Sequence, residues 1–375
     1  MTTRVPEISS FLEQRIAAGD FPSAVYIVAE KGRAIFSDAL GNSVLEPQRM
    51  AATRETIYDL ASLTKPLITG HLCASRIQSG ELTLDSSVAQ YLPEFDRPDK
   101  NTITLRELLT HSSGLPAWRP LYILADGEPD TAIAAIVNLD LDYQPGRRVV
   151  YSDLGFIVLG LMLERLTAKR LADLAHNEIF QPLSLERTFF NPEMAMQTGI
   201  AACETGNGYE RETCREIDAG PYEKWRENLI WGEVHDGNAH FLGGAAGHAG
   251  LFSTAEETLA LASQFLPDSQ GDKRRLLTPE TTDLFRTNFT VGLEESRSIG
   301  WQLADTKDSA AGPDLPPDSF GHSGFTGTSC WIDPHSERIF ILLTNRTHAR
   351  SLPFANINGV RRTFHSLAVA ALDSR

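Results

Sequence analysis

A serine and a lysine stand three residues apart in the run from Thr56 to Leu72, as Ser62-Leu-Thr-Lys65 followed by Pro66. Both fall at what reads as the start of a helix. Residues at i and i+3 share one helical face, so hydroxyl and ammonium can meet. The first N–H groups of a helix lack partners and favour negative charge. A serine in that field, with an amine one turn on, can act as an activated nucleophile towards an acyl carbonyl. Pro66 is tolerated only near a helix start, which places that start close to Ser62. Taken alone, the same pair also reads as an N-cap serine followed by a solvated lysine.

Two distant stretches add the missing chemistry. Tyr151-Ser152-Asp153 follows a Pro-Gly turn and opens an apolar helix, and His322-Ser323-Gly324 follows Phe320-Gly321 and runs into a strand-like segment. A tyrosine ordinarily loses its proton near pH 10, so Tyr151 is a base at neutral pH only beside a cation, and Lys65 is the obvious one. Read singly, Tyr151 is more readily a core aromatic with a satisfied hydroxyl. In order, Ser-x-x-Lys, a Tyr-x-Asn-like element and a His-x-Gly element resemble the serine β-lactamase and penicillin-binding protein superfamily. The resemblance is greatest to its class C-like branch, which includes D-Ala carboxypeptidases, D-aminopeptidases and serine esterases. Thr110 to Gly114 and Gly247 to Thr254 also look like recurrent segments of that family, and the likeness spans roughly residues 20 to 350.

The resemblance implies roles. Ser62 would be the nucleophile, Lys65 would keep the field positive and share the proton, and Tyr151 would be the general base. The backbone N–H groups of Ser62 and Phe325 would form the oxyanion hole. Gly324 would let the backbone pass close to substrate, beside Ser323, with substrate lying along Phe325, Thr326 and Gly327. Two positions depart from the pattern. Asp153 stands where many β-lactamases have asparagine, and an ionised carboxylate cannot donate a hydrogen bond to a substrate amide. That weighs against efficient β-lactam hydrolysis, while leaving Asp153 able to hold Lys65. His322 replaces the lysine of many relatives. It would donate a hydrogen bond that polarises the Tyr151 hydroxyl, with a charge variable near neutral pH. Arg346 would bind a substrate carboxylate or, as the more usual role of an arginine there, cap the last strand.

The implied activity is hydrolysis through an acyl-enzyme on Ser62, without metal or cofactor. Its partners would be small esters, D-amino-acid peptides or β-lactams. One alternative is a penicillin-recognising module that acylates once and does not turn over. Another is a metal hydrolase using His235, Asp236, His240 and His248. Against it, His235 and His240 are five apart in a glycine-containing loop, not four apart on a helix.

The elements that must position these groups follow from periodicity. The expected fold is α/β (α+β): an antiparallel sheet flanked by helices, plus an all-helical lobe. Residues 1–80 and 200–375 would form a discontinuous α/β lobe, residues 81–199 the helical lobe, with the site between them. Helices are expected over 7–18, from Ser62 to about Gly80, over 152–167 and 171–180, and at the C-terminus. Strands are expected over 25–30, 33–39, 300–303, 328–333 and 338–344. Thr104-Leu-Arg-Glu107 and Thr254-Ala-Glu-Glu257 have the capping-box pattern. Residues 200 to 245 read as a long irregular loop, and such loops are often functional.

The 375 residues carry a formal net charge of −15. With no concentrated basic run, nucleic acid is not an expected partner. The first residues have no apolar core of a signal peptide, so the expected location is cytoplasmic, or periplasmic or exported if a leader has been trimmed away. Leu154 to Leu166 is too short for a membrane span. Of the four cysteines, Cys203 and Cys214 are close enough in sequence to pair across their loop, while Cys73 and Cys330 read as small buried hydrophobes.

Overall fold

The computed structural model describes residues 3–267 and 274–375. Nine strands are present among them: β1 (Ser23–Glu30), β2 (Arg33–Val44), β3 (Met50–Ala51), β4 (Tyr58–Asp59), β5 (Phe252–Ser253), β6 (Gln302–Leu303), β7 (Phe320–Ser323), β8 (Ser329–Asp333) and β9 (Arg338–Thr344). Seven form one sheet in the order β3-β2-β1-β9-β8-β7-β6, and β4 pairs with β5 apart from it. The neighbours run antiparallel, and β1 joins β9 in the register Ala24 to Thr344 through Glu30 to Arg338. The fold is thus the expected mixed one, with the sheet built from both ends of the chain.

Both faces of this sheet are covered, which is why β1 and β9 read as unbroken apolar runs. Successive side chains point to opposite faces. Tyr26, Val28, Phe340 and Leu342 pack with Ile8 and Leu12 of the Pro6–Ala18 helix and with Phe364 of the Asn358–Asp373 helix. Val25, Ile27, Ile339 and Ile341 belong instead to the larger core that contains Leu63, Leu67 and Phe156.

The nucleophile segment starts as a single tight turn, Ala61–Leu63, widens over Lys65–Gly70 and becomes a regular helix over His71–Gln78. Pro66 has no N–H to donate within the first turn, and the helix widens where that bond is missing. The Asp153–Thr167 helix begins at Ser152, whose hydroxyl accepts from Gly155 N at 3.2 Å. Gly247 is pressed against this helix: a Cβ there would lie 1.9 Å from Phe156 O. That close approach carries the backbone of Gly247 and His248 onto the nucleophile helix, where Gly247 O accepts from Thr69 Oγ1 at 2.7 Å.

Several expectations need correction. Thr104 and Glu107 form a complete capping box, but Thr254 and Glu257 form only half of one. Glu257 turns its carboxylate to Glu186 N, Arg187 N and Thr188 instead, serving a neighbouring loop that lacks partners of its own. Residues 200 to 245 contain two helices, Gly208–Glu216 and Gly237–Phe241. Cys203 and Cys214 could have paired across their loop but are buried free thiols, as the weaker case for a disulfide implied, and the Tyr122 hydroxyl lies 3.6 Å from Cys214 Sγ. No helix among the described residues is long and apolar enough to cross a membrane.

Candidate active site

Two backbone locks hold Ser62 in place. The buried carboxylate of Asp59 accepts from Ala61 N and from His235 N, both at 2.8 Å. Ala61 itself is in the left-handed region, at φ 48°, a conformation that needs such support. Across the cleft floor, the hydroxyls of Thr326 and Thr328 donate to Asp59 O at 2.8 Å and Leu60 O at 3.0 Å. The turn after β7 is therefore tied to the segment that presents Ser62.

Lys65 is fully buried, and its ammonium has three neighbours. It donates to Ser62 Oγ at 3.0 Å and to His248 O at 3.0 Å. It lies 2.7 Å from Asp153 Oδ1 as an ion pair. Burial depresses the Lys65 pKa, but the charges of Asp153 and then Tyr151 outweigh it and hold the ammonium above its ordinary value. The amine is charged at rest.

Tyr151 stands over this pair. The Lys65 ammonium is 4.9 Å from its ring centroid, and its hydroxyl is within hydrogen-bonding reach of Lys65 and Ser62. Burial raises the phenol pKa. Lys65 lowers it, but Asp153 raises it again, and the sum stays above the ordinary value. The cation expected beside Tyr151 is present, but Asp153 offsets its charge, and the balance favours a neutral phenol at rest.

His322 also differs from expectation. Its ring is 5.7 Å from that of Tyr151, and Nδ1–H donates to the Ser323 carbonyl at 3.0 Å. Its Nε2 then carries a lone pair, and it has no partner among the described residues. Burial, Lys65 and Arg297 hold this imidazole far below its ordinary pKa, so it is neutral and does not vary near pH 7. The same holds for His111, whose Nδ1 accepts from Ser152 N at 3.0 Å and whose ring lies 4.6 Å from that of Tyr151.

Ser62, Tyr151, Asp153, Ser323, Gly324 and Phe325 line one cleft of about 370 Å³, together with Trp118, Tyr209, Glu210, His235 and Asp236. Arg346 is not on this wall. Its guanidinium lies over the Phe325 ring at 4.9 Å and donates to Phe325 O and Ala355 O, both at 2.7 Å. It braces the strand edge.

His235, His240 and His248 each face a different carboxylate: Glu204 at 2.9 Å, Glu233 at 3.4 Å and Asp236 at 2.7 Å. No group of three or more His, Cys, Asp or Glu side chains arranged to hold a metal occurs among the described residues.

Sequence reasoning did not single out Asp59, His111, Arg297 or Glu210. Arg297 is buried, paired with Glu295 and 5.8 Å from the Tyr151 ring centroid. Glu210 is buried between Gly237 N at 2.7 Å and Tyr122 Oη at 2.8 Å. Burial and then the charge of Asp236 push its pKa up to about 7. None of the four sits in a spacing pattern. The Tyr58-Asp59 pair just ahead of Ser62, and the Thr110 to Gly114 segment that carries His111, were there to be noticed.

With this geometry in view, a model of the Beta-lactamase family matches residues 8–360. The chain belongs to the Beta-lactamase family. Within the family it is 32% identical over 370 residues to the N-acetylmuramyl-L-alanine amidase of Bacillus subtilis (strain 168), covering 92% of this chain and 82% of that one. It is 30% identical over 370 residues to an Escherichia coli (strain K12) protein that carries the provisional name D-alanyl-D-alanine carboxypeptidase, covering 92% and 83%. Among solved structures it is similar to a penicillin-binding protein homolog from Caulobacter crescentus, with a TM-score of 0.73, 19% identity and coverage of 100% and 99%. That last likeness concerns the fold. Membership of the Beta-lactamase family makes the chain a serine hydrolase in general class.

Proposed function

We propose that the chain forms an acyl-enzyme on Ser62 and hydrolyses ester or amide bonds whose leaving group carries no carboxylate next to the scissile bond. The observation that carries this reading is the line Ser62 Oγ, Lys65 Nζ, Asp153 Oδ1, at 3.0 and 2.7 Å. A hydroxyl bonded to a buried ammonium is stabilised as it becomes an alkoxide. As Ser62 Oγ bonds to the carbonyl carbon, the C=O π pair moves to oxygen and is held by the N–H groups of Ser62 and Phe325. Tyr151, a neutral phenol at rest, gives its proton to the leaving nitrogen or oxygen as that bond breaks. Water then repeats the attack on the acyl-enzyme and frees Ser62.

The charge of the cleft argues for the substrate class. Among the described residues no lysine or arginine lines it, whereas Asp153, Glu210 and Asp236 do. Arg346 is committed to Phe325 and Ala355. A D-Ala-D-Ala carboxypeptidase and a β-lactamase both take substrates with a free carboxylate, and here no cation is ready for it. Neutral esters and amides suit the cleft better, including a bond of the N-acetylmuramyl-L-alanine type.

The test is acylation itself. On incubation with p-nitrophenyl acetate, the wild-type chain is expected to gain one acetyl group at Ser62 by mass spectrometry and to release p-nitrophenol continuously. Ser62→Ala should do neither, and an undiminished rate in that variant would refute the reading. A single burst with no steady state would point instead to the non-turnover module.

A further inference from the structure

Acylation must remove the Ser62 proton, and the resting site offers few places for it. Lys65 is already an ammonium and Tyr151 already a phenol, each held in that form by burial and neighbouring charge. His322 and His111 are imidazoles kept from accepting a proton by burial and by Lys65 and Arg297. The one anion touching this set is Asp153. Its side chain is 19% exposed on the cleft wall and lies 2.7 Å from the same ammonium that donates to Ser62.

We propose that Asp153 is the terminal proton acceptor for the acylation step, reached through Lys65. This inference rests on the reading of Ser62 as nucleophile. Lys65 Nζ gives one proton to Asp153 Oδ1 and, as a neutral amine, takes the Ser62 hydroxyl proton while the Oγ–C bond forms. The result is an acyl-enzyme precursor with Lys65 again an ammonium and Asp153 a carboxylic acid. When the leaving group departs with the Tyr151 proton, Lys65 reprotonates Tyr151 and Asp153 returns its proton to Lys65. Every proton taken from Ser62 thus ends on the leaving group, and no outside acid or base is needed. The contact suits this role: Asp153 Oδ1 sits 2.7 Å from Lys65 Nζ, so the proton has a short path between them. An asparagine at this place could not take the proton at all.

The titratable groups around Asp153 are Lys65, in contact with it, and Tyr151, Glu210, His235 and Asp236, which line the same cleft. All of them remain in the test variants, so a change in pH profile reports on position 153.

The experiment compares wild type, Asp153→Asn and Asp153→Ala in steady-state hydrolysis of p-nitrophenyl acetate from pH 5 to pH 10, with circular dichroism to verify folding. Asp153→Asn is expected to lose about 100-fold in kcat/KM at pH 7, within the range of a general-base contribution. Its activity should recover only towards alkaline pH, where Lys65 or Tyr151 supplies the base. Sodium formate should restore at least tenfold of the activity lost in Asp153→Ala and have no effect on wild type, which a merely structural role would not produce. Wild-type kcat/KM with an unshifted acid limb in Asp153→Asn overturns the proposal. If that variant does not fold, absence of formate rescue in a folded Asp153→Ala overturns it equally. Ser62→Ala separates the two readings. An active Ser62→Ala removes the nucleophile itself, whereas an inert Ser62→Ala beside a fully active Asp153→Asn removes only the proton route.

Discussion

The Lys65 ammonium and the Asp153 carboxylate stand 2.7 Å apart at the head of two different helices, one completely buried and the other open to the cleft. Removing one partner from such a pair leaves a charge in a site built for two. Lys65→Met is expected to cost roughly 3–5 kcal/mol of stability and several orders of magnitude in kcat/KM. Lys65→Met with Asp153→Asn should regain much of the stability and none of the activity. Urea unfolding and ester hydrolysis measure the two effects separately, and equal losses in the single and double variants would contradict the pairing.

Gly324 has no room for a side chain. A Cβ there would lie 2.1 Å from Thr328 Oγ1 and 2.6 Å from Leu60 O. The second contact is with backbone, so removing the threonine hydroxyl does not relieve it. Gly324→Ala is expected to lose about 2 kcal/mol or more and most activity, because the turn must move away from Ser62. Gly324→Ala with Thr328→Val should remain impaired, as a melting curve and an ester assay would reveal.

Glu210 makes stability depend on pH in a defined direction. Its carboxyl is raised from the usual 4.5 to about 7 by burial and Asp236. A raised folded pKa means stability that is full below pH 4.5 and is lost as pH rises through 7. Its share is at most about 3 kcal/mol. Glu210→Gln should flatten the decline in unfolding free energy between pH 4.5 and 7. An unchanged slope there would remove Glu210 as its source.

Substrate charge gives a further contrast. A peptide ending in D-Ala-D-Ala amide is expected to react at least tenfold faster, in kcat/KM, than the same peptide with a free carboxylate. A chromogenic cephalosporin, which carries a carboxylate, should be a poor substrate. Faster turnover of the free acid would show that a cation is recruited to the cleft after all.

How much of this site could be read in advance depended on the range of the forces involved. Ser62 and Lys65 were legible because a three-residue spacing on a helix fixes their meeting locally, and Pro66 marked where the helix begins. Tyr151 and Asp153 were legible because a Pro-Gly turn delivers them to the head of an apolar helix. Strands β1 and β9 showed themselves as apolar runs. The protonation states were not legible. Whether Lys65 frees a phenolate on Tyr151 depends on burial and on Asp153, and no spacing expresses that balance. Nor was the direction of Arg346, since a strand-end arginine has the same sequence whether it meets a ligand or turns back onto Phe325. His111 and Arg297 act on the site through contacts between segments remote in the chain, and Asp59 adds to its local bond with Ala61 N a remote one with His235 N.

The pairing of β1 with β9 has a consequence for the timing of synthesis. A growing chain carries Ser62, Lys65 and Tyr151 well before its last strand has been made. Until Arg338–Thr344 emerges, the strand that carries His322 has no β9 to close the sheet beside β1, and the turn gripping Leu60 has nothing to anchor it. Fragments that end before Arg338 are therefore expected to carry the nucleophile without its reactivity, which arrives once β9 pairs with β1.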